Sequence, residues 1–174
     1  GDELFGGYDY LKSLSEDELP AELLDITGRL RNTALQRVDR CAAAGSLCVH
    51  VPFLNSHVVS LARAIPARYK IKRSGDKAIE KWILRASMEG SMPESVLWRP
   101  KEKFWQGSGV GSILSEYAEA AVSDADFMRQ RVLPFGLSLN SKEELHYYRI
   151  FSERVGKFDN LDWMGRTKGA PVSA

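Results

Sequence analysis

The chain has 174 residues, with 24 basic and 23 acidic side chains, a net charge of +1 and 44% hydrophobic residues. That describes one ordinary soluble domain or a large piece of one, able to bury a core without disulfide or metal staples. The even charge gives no reason to expect nucleic acid or an anionic membrane surface as partner, and no apolar run approaches the length of a membrane span.

The chain opens on Gly1-Asp2-Glu3-Leu4-Phe5-Gly6-Gly7-Tyr8, two carboxylates ahead of a Gly-Gly pair. Glycines there point to close backbone approach or positive φ. Asp2 fits a magnesium ligand, because Mg²⁺ is held by one or two carboxylates plus substrate phosphates. It fits equally an acid at a helix N-terminus, where the dipole favours negative charge. The segment has the look of the second half of a longer motif.

From Pro20 to Gly45, Leu23, Ile26, Leu30, Ala34, Val38 and Cys41 recur at spacings of three and four. One long helix with a single apolar stripe is expected, with Pro20 in its first turn. Cys41 and Cys48 are expected as buried, reduced thiols on that face, which suits a cytoplasmic protein. Arg37, Asp39 and Arg40 fall off the stripe and read as a solvated ion-pair network. Leu47 to Phe53 is the only β-like run.

Asn55 or Ser56 is suited to cap a second helix, His57 to Ile65, stopped by Pro66. A loop with Ser74-Gly75 then precedes a third helix expected over Asp76 to Glu89, with Ile79, Trp82, Ile83 and Ala86 inward and Gly90 ending it. Met92 to Pro100 reads as a Pro-bounded link into the basic run Lys101-Glu102-Lys103-Phe104. Gln106-Gly107-Ser108-Gly109-Val110-Gly111 opens a fourth helix, whose face is Val110, Ile113, Leu114, Tyr117, Ala118 and Ala121. A helix N-terminus offers free N–H groups, and glycines let a phosphate approach the backbone. Gly107, Ser108 and Gly109 with Lys101 nearby therefore suit a pyrophosphate cradle; a flexible surface loop with solvated lysines has the same composition. A short helix is expected over Ala125 to Arg131. Ser141 and Glu144 form a capping box for a last helix to about Val155. His50, His57 and His146 have no second ligand at metal spacing.

In this order, these segments resemble the synthetase domain of glutamine-hydrolysing asparagine synthetases. The resemblance rests on Gly1 to Tyr8, Leu35 to Arg40, Val51-Pro52-Phe53-Leu54, Lys81-Trp82-Ile83-Leu84-Arg85, Met92-Pro93 through Lys101, and Ser141-Lys142-Glu143-Glu144. It implies a mainly α helical bundle, residues 1–158, forming the C-terminal part of an adenine-nucleotide α-hydrolase-like (ATP-pyrophosphatase) α/β domain, with a loose tail over 159–174. In the family the side-chain carboxylate of aspartate attacks the α-phosphorus of ATP, pyrophosphate leaves with magnesium, and glutamine-derived ammonia displaces AMP. By that resemblance Asp2 holds magnesium–pyrophosphate, Lys101 neutralises phosphate charge, and Gly107, Ser108 and Gly109 face the pyrophosphate, with ATP and Mg²⁺ as cofactors.

The family's Ser-Gly-Gly-x-Asp-Ser phosphate loop is absent, and Ser74-Gly75-Asp76 does not replace it. The glutaminase domain and an upstream glutamate are also absent, so the chain is expected to be an inactive fragment of a ligase, with a bared apolar patch favouring a homo-oligomer. The family has Glu, Arg and Asp where this chain has Cys48, His50 and Asn55. The resemblance therefore leaves open a divergent carboxylate-adenylating relative, of the β-lactam or peptide-cyclase kind, or a non-catalytic helical module.

Overall fold

The computed structural model describes residues 1–101, 108 and 111–161. They belong to two compact units, Gly1–Lys101 and Glu102–Ala174. The described residues are mainly α-helical.

In the first unit α1 (Asp2–Phe5) ends at Gly6, which sits at φ 71°. A Cβ there would come 3.0 Å from Ile71 Cγ1, so glycine is required on both conformational and packing grounds. A 3₁₀ turn follows over Asp9–Ser13. The long helix expected from Pro20 is present in three consecutive stretches: α2 (Leu19–Leu30), a π-helical turn (Arg31–Leu35) and α3 (Gln36–Ala44). Its apolar stripe is buried only along α2, by Leu23, Ile26 and Leu30. Val38 is 40% exposed, and Cys41 and Cys48 are both exposed free thiols, which corrects the expectation of buried cysteines. No residue of the π turn or of α3 is buried, so among the described residues this half of the helix has nothing packed over it that would cover an apolar stripe. Arg40 and Asp39 pair at 3.4 Å, both well exposed, as a solvated network would.

Helix α4 (Ser56–Ala64) is capped by Asn55, whose side chain accepts from the His57 N–H at 3.0 Å. Pro66 follows it, as expected. The Leu47 to Phe53 run forms no strand; Pro52, which lacks an N–H to donate, starts a 3₁₀ turn over Pro52–Leu54. The helix expected over Asp76 to Glu89 is also corrected. Strands β1 (Lys72–Ser74) and β2 (Lys77–Ile79) form an antiparallel hairpin with Lys72 opposite Ile79. Gly75 turns it at φ 56°, and only α5 (Trp82–Ala86) is helical. A strand does therefore precede Ser74-Gly75-Asp76, but the turn leads into β2 and opens no helix, so it is not a phosphate loop. Helix α6 (Glu94–Leu97) precedes Lys101. One core cluster joins Leu11, Leu19, Leu23, Ile26, Ala67 and Ile71, and another joins Leu4, Phe5 and Ala62.

In the second unit α7 (Gly111–Ala121) buries Ala118, and Val122 just beyond it, while Ile113, Leu114 and Tyr117 are exposed. The inner face is thus rotated from the expected one. Ser123 caps α8 (Asp124–Gln130), accepting from the Asp126 N–H at 3.1 Å. Ser141 caps α9 (Lys142–Val155), accepting from the Glu144 N–H at 3.2 Å. The return bond of the capping box reaches one residue further back, where Glu144 accepts from the Asn140 N–H at 2.6 Å. Val122, Leu133, Leu139, Leu145 and Leu161 form this unit's core. Leu161, within the stretch expected to be loose, is therefore packed; residues 162–174 lie outside the described ones.

No described helix is long and apolar enough to cross a membrane. Several large apolar side chains of the first unit are exposed, Leu47 and Leu61 by about two thirds. Leu11 is fully buried, so Leu11→Ala is expected to destabilise the chain by about 2–5 kcal/mol. Leu61→Ala is expected to change it by no more than about 0.5 kcal/mol. Urea unfolding of both variants checks this contrast.

Candidate functional site

The site grows from a buried acid. Glu80, 4% exposed, follows β2 directly and accepts from the Arg85 guanidinium at 2.6 Å, with the Lys12 ammonium at 3.0 Å. A carboxylate removed from water costs several kcal/mol unless paired and hydrogen-bonded, and here two cations pair it. Burial pushes the Glu80 carboxyl up. Its own backbone N–H, Lys12 and Arg85 outweigh that and hold it below the ordinary value of 4.5.

Arg85 spends its remaining donors on backbone. Its Nε donates to the Glu80 carbonyl at 3.0 Å, and one terminal nitrogen donates to the carbonyls of Leu97 at 2.6 Å and Arg99 at 3.0 Å. The planar guanidinium makes this fork rigid. It fastens the link after α6 to the end of the hairpin, two residues before Lys101 and one before Lys81.

Lys81 occupies the left-handed region at φ 53°, an uncommon place for a residue with a long side chain. The Trp82 N–H donates to the Lys70 carbonyl at 2.9 Å and holds that bend. Both lysines converge on Asp2. Lys81 Nζ stands 2.5 Å from Asp2 Oδ1, and Lys101 Nζ stands 3.6 Å from Oδ2 and 5.9 Å from the centre of the Tyr8 ring. Burial pushes the Asp2 carboxyl up, but the bond from Lys81 and then the charges of Lys81 and Lys101 hold it below 3.8. It is ionised at neutral pH. Gly7 leaves room for this cluster: a Cβ there would lie 2.0 Å from Asp2 Oδ1 and 2.3 Å from Lys81 Cε. Beside it, Glu3 accepts a hydrogen bond from the Tyr8 hydroxyl. Burial first, and then that bond, push the Tyr8 phenol above its usual value.

Of the residues expected to form the site, the structure brings Asp2 and Lys101 together across ninety-nine positions of sequence. Ser108 lies exposed at a turn in the second unit. Gly107 and Gly109 lie outside the described residues. The sequence reading missed Lys81, Glu80, Arg85 and the role of Gly7. The signal was present, as a Glu-Lys pair before Trp82 with an arginine five residues after the acid, but a continuous helix assigned to that stretch concealed it.

The arrangement offers one ionised oxygen donor flanked by two mobile-headed cations. Among the described residues no three His, Cys, Asp or Glu side chains gather as a metal cage. One carboxylate is nonetheless what Mg²⁺ takes when phosphates supply the rest of its shell. Asp2 fits that requirement, and the lysines fit phosphate oxygens.

The family model described as asparagine synthase matches residues 15–160 of this chain. The glutamine-hydrolysing asparagine synthetase of Sandersonia aurantiaca is 31% identical over 173 residues, covering 96% of this chain and 33% of that protein. The Homo sapiens enzyme of the same name is 35% identical over 175 residues, covering 94% of this chain and 30% of that protein. The Gallus gallus one is 34% identical over 161 residues, covering 88% and 28%. The chain thus spans about a third of the length of the curated relatives it matches.

The pH dependence of stability follows from the two paired acids, Glu80 and Asp2. Glu80 and Asp2 titrate below their unfolded values, so they stabilise fully above 4.5 and 3.8 and lose that contribution as pH falls through their lower folded values. Glu80→Gln leaves Arg85 and Lys12 without their shared counter-charge and is expected to cost about 3–5 kcal/mol at neutral pH. It is also expected to flatten the acid limb of the curve, as urea unfolding from neutral pH down through 4.5 would reveal.

Proposed function

Because the chain belongs to the asparagine synthase family, we propose that Asp2, Lys81 and Lys101 form one wall of an ATP-pyrophosphatase site in an amide-forming ligase of the asparagine synthetase type. The single observation that carries this reading is the convergence of two lysine ammonium groups on one ionised aspartate. In the reaction proposed for the whole protein, an aspartate carboxylate oxygen attacks the α-phosphorus of ATP. The bond from that phosphorus to the bridging oxygen breaks, pyrophosphate leaves, and ammonia derived from glutamine displaces AMP to give asparagine.

Asp2 would hold Mg²⁺, which supplies charge neutralisation to the phosphates when bound. The other work falls to the chain's own residues. Lys101 and Lys81 orient the polyphosphate and meet the negative charge that builds on the leaving oxygens. Fixed donors aimed at developing charge are usually the largest electrostatic contribution to such a step. In the absence of substrate the lysines rest on Asp2, which keeps both ammonium groups positioned. Arg85 and Glu80 hold the backbone from which they project, so they act as positioning residues. For Gly107, Ser108 and Gly109, a role at the pyrophosphate is supported by the family resemblance alone.

Within the whole protein, the helices described here would form the C-terminal part of an adenine-nucleotide α-hydrolase-like α/β domain. The Ser-Gly-Gly-x-Asp-Ser loop of the family is not among these 174 residues. A glutaminase domain and the rest of the synthetase domain are the partners that this reading requires.

The test is ATP–pyrophosphate exchange. A protein of the relatives' full length carrying this segment is expected to exchange in an aspartate-dependent way, and the 174-residue chain alone is not. Lys101→Met or Asp2→Asn in the long protein is expected to lower exchange roughly 10²–10³-fold. Gly7→Ala is expected to weaken Mg²⁺–pyrophosphate binding and to lower the melting temperature, because its Cβ must displace the paired Asp2 and Lys81. Unchanged exchange in Lys101→Met would refute the reading.

A further inference from the structure

The chain's positive charge is concentrated in one stretch. Residues 63–77 hold six basic side chains against one acid, Asp76, while the rest of the chain carries more acidic than basic groups. Arg63, Arg68, Lys72, Arg73 and Lys77 are all exposed. None of the five forms an ion pair among the described residues, whereas Lys12, Arg29, Arg85, Lys101 and Lys142 all do.

Ring contacts and the hairpin register join part of this stretch into a strip. The Arg68 guanidinium stands 5.0 Å from the centre of the Tyr69 ring. Tyr69 stacks on Trp82, with ring centres 6.2 Å apart and planes at 24°. Lys72 Nζ stands 5.1 Å from the centre of the Trp82 ring. In the hairpin Lys72 lies opposite Ile79, and Ser74 opposite Lys77. Side chains alternate across a strand, so Lys72, Ser74, Lys77 and Ile79 share one face. Ala78, on the other face, packs against the core cluster of Leu11, Leu19 and Ile71. The face with Lys72, Lys77 and Ile79 is therefore turned outward, and Ile79 is 37% exposed on it. The aromatic rings attract the cations above them and give Arg68 and Lys72 preferred places.

Two exposed acids flank the strip. Glu16 shares a concavity with Arg68, Tyr69 and Lys72, and Asp76 lies in the hairpin turn. Neither pairs with a cation of the strip among the described residues. Arg73, whose guanidinium donates to the Leu14 carbonyl at 2.6 Å, adds a further positive charge beside the same concavity. Arg68, Lys72, Arg73 and Lys77 outnumber the two acids, so the surface stays positive.

We propose that this strip docks an extended acidic segment of a partner protein, in which carboxylates alternate with small apolar side chains. The carboxylates meet Arg68, Lys72 and Lys77, and the apolar side chains meet Ile79 and Tyr69. Complementary charge of this kind sets register and speeds association. A short peptide fits the strip better than a nucleic acid does. A longer polyanion would run onto a chain whose remaining charge is negative in balance. Bases would also need open aromatic faces, and each ring here is already engaged by a cation and by the other ring. The strip does not depend on the ATP chemistry proposed above.

The probes are a fluorescein-labelled Glu-Val-Glu-Val-Glu-Val-Glu peptide, the same peptide with lysine for glutamate, and a labelled oligouridylate of equal charge. Each is titrated into the 174-residue chain, with affinity read by anisotropy and the site by backbone amide chemical shifts. The acidic peptide is expected to bind saturably, to shift the amides of residues 72–79, and to weaken as salt screens the exposed charges. The lysine peptide is expected not to bind. Lys72→Glu with Lys77→Glu is expected to weaken the acidic peptide roughly tenfold or more, because attractions become repulsions. Arg154→Glu with Lys157→Glu makes the same change in net charge at exposed positions of the second unit and is expected to leave the affinity unchanged. All four positions are exposed, so both variants are expected to keep the melting temperature of the unmodified chain. Absence of saturable binding, oligouridylate binding as tightly as the acidic peptide, undiminished binding after the Lys72 and Lys77 changes, or an equal loss in the Arg154 and Lys157 control would each overturn the proposal.

Discussion

The Glu80–Arg85 pair is the constraint on which the candidate site depends. Glu80 is buried, and its desolvation must be met by donors of good geometry. Arg85 answers with a donor to the carboxylate and three to backbone carbonyls, those of Glu80, Leu97 and Arg99. One side chain thereby ties the end of the hairpin to the segment leading into Lys101. Without that tie, the two lysines facing Asp2 would project from unconnected loops. Lys12 completes the charge balance at Glu80 from the 3₁₀ turn after the opening segment.

The Asp2 cluster has the opposite character. Its side chains are about a quarter exposed, its bonds reach the ends of long flexible lysines, and its charges sum to one in excess of positive. Such an arrangement exchanges partners readily: an anion draws the lysines, a cation draws the carboxylate. A paired, buried network thus stands behind a partly exposed, charge-rich cluster, and the reading proposed above rests on that division. The left-handed Lys81 stands at the junction of the two.

Much of the fold was legible because capping and breaking signals act locally. Asn55 and Ser141 cap where short polar side chains should, and Pro66 and Gly156 follow helices that they terminate. Three features were not legible. The stretch from Arg31 to Ala44 buries no residue, which left Val38 and Cys41 exposed although their spacing was helical. The hairpin at Lys72–Ile79 replaced a helix because Gly75 and Lys81 adopt positive φ, a choice that spacing does not encode. The inner face of α7 was set by what it meets in its own unit, not by its most apolar line.

By itself the sequence determined the chemistry available: an acid before two glycines, a lysine after a Pro-bounded link, and an order of segments characteristic of one family. It determined the helices whose ends carry their own caps. Only the tertiary structure decided that Asp2 and Lys101 meet, that Lys81 joins them, and that Glu80 and Arg85 brace all three. The reason is physical. Caps and turns are settled by neighbours a few residues away, whereas an ion pair between residues 2 and 101 exists only once the chain between them has buried its apolar side chains and fixed the backbone that brings them within 4 Å.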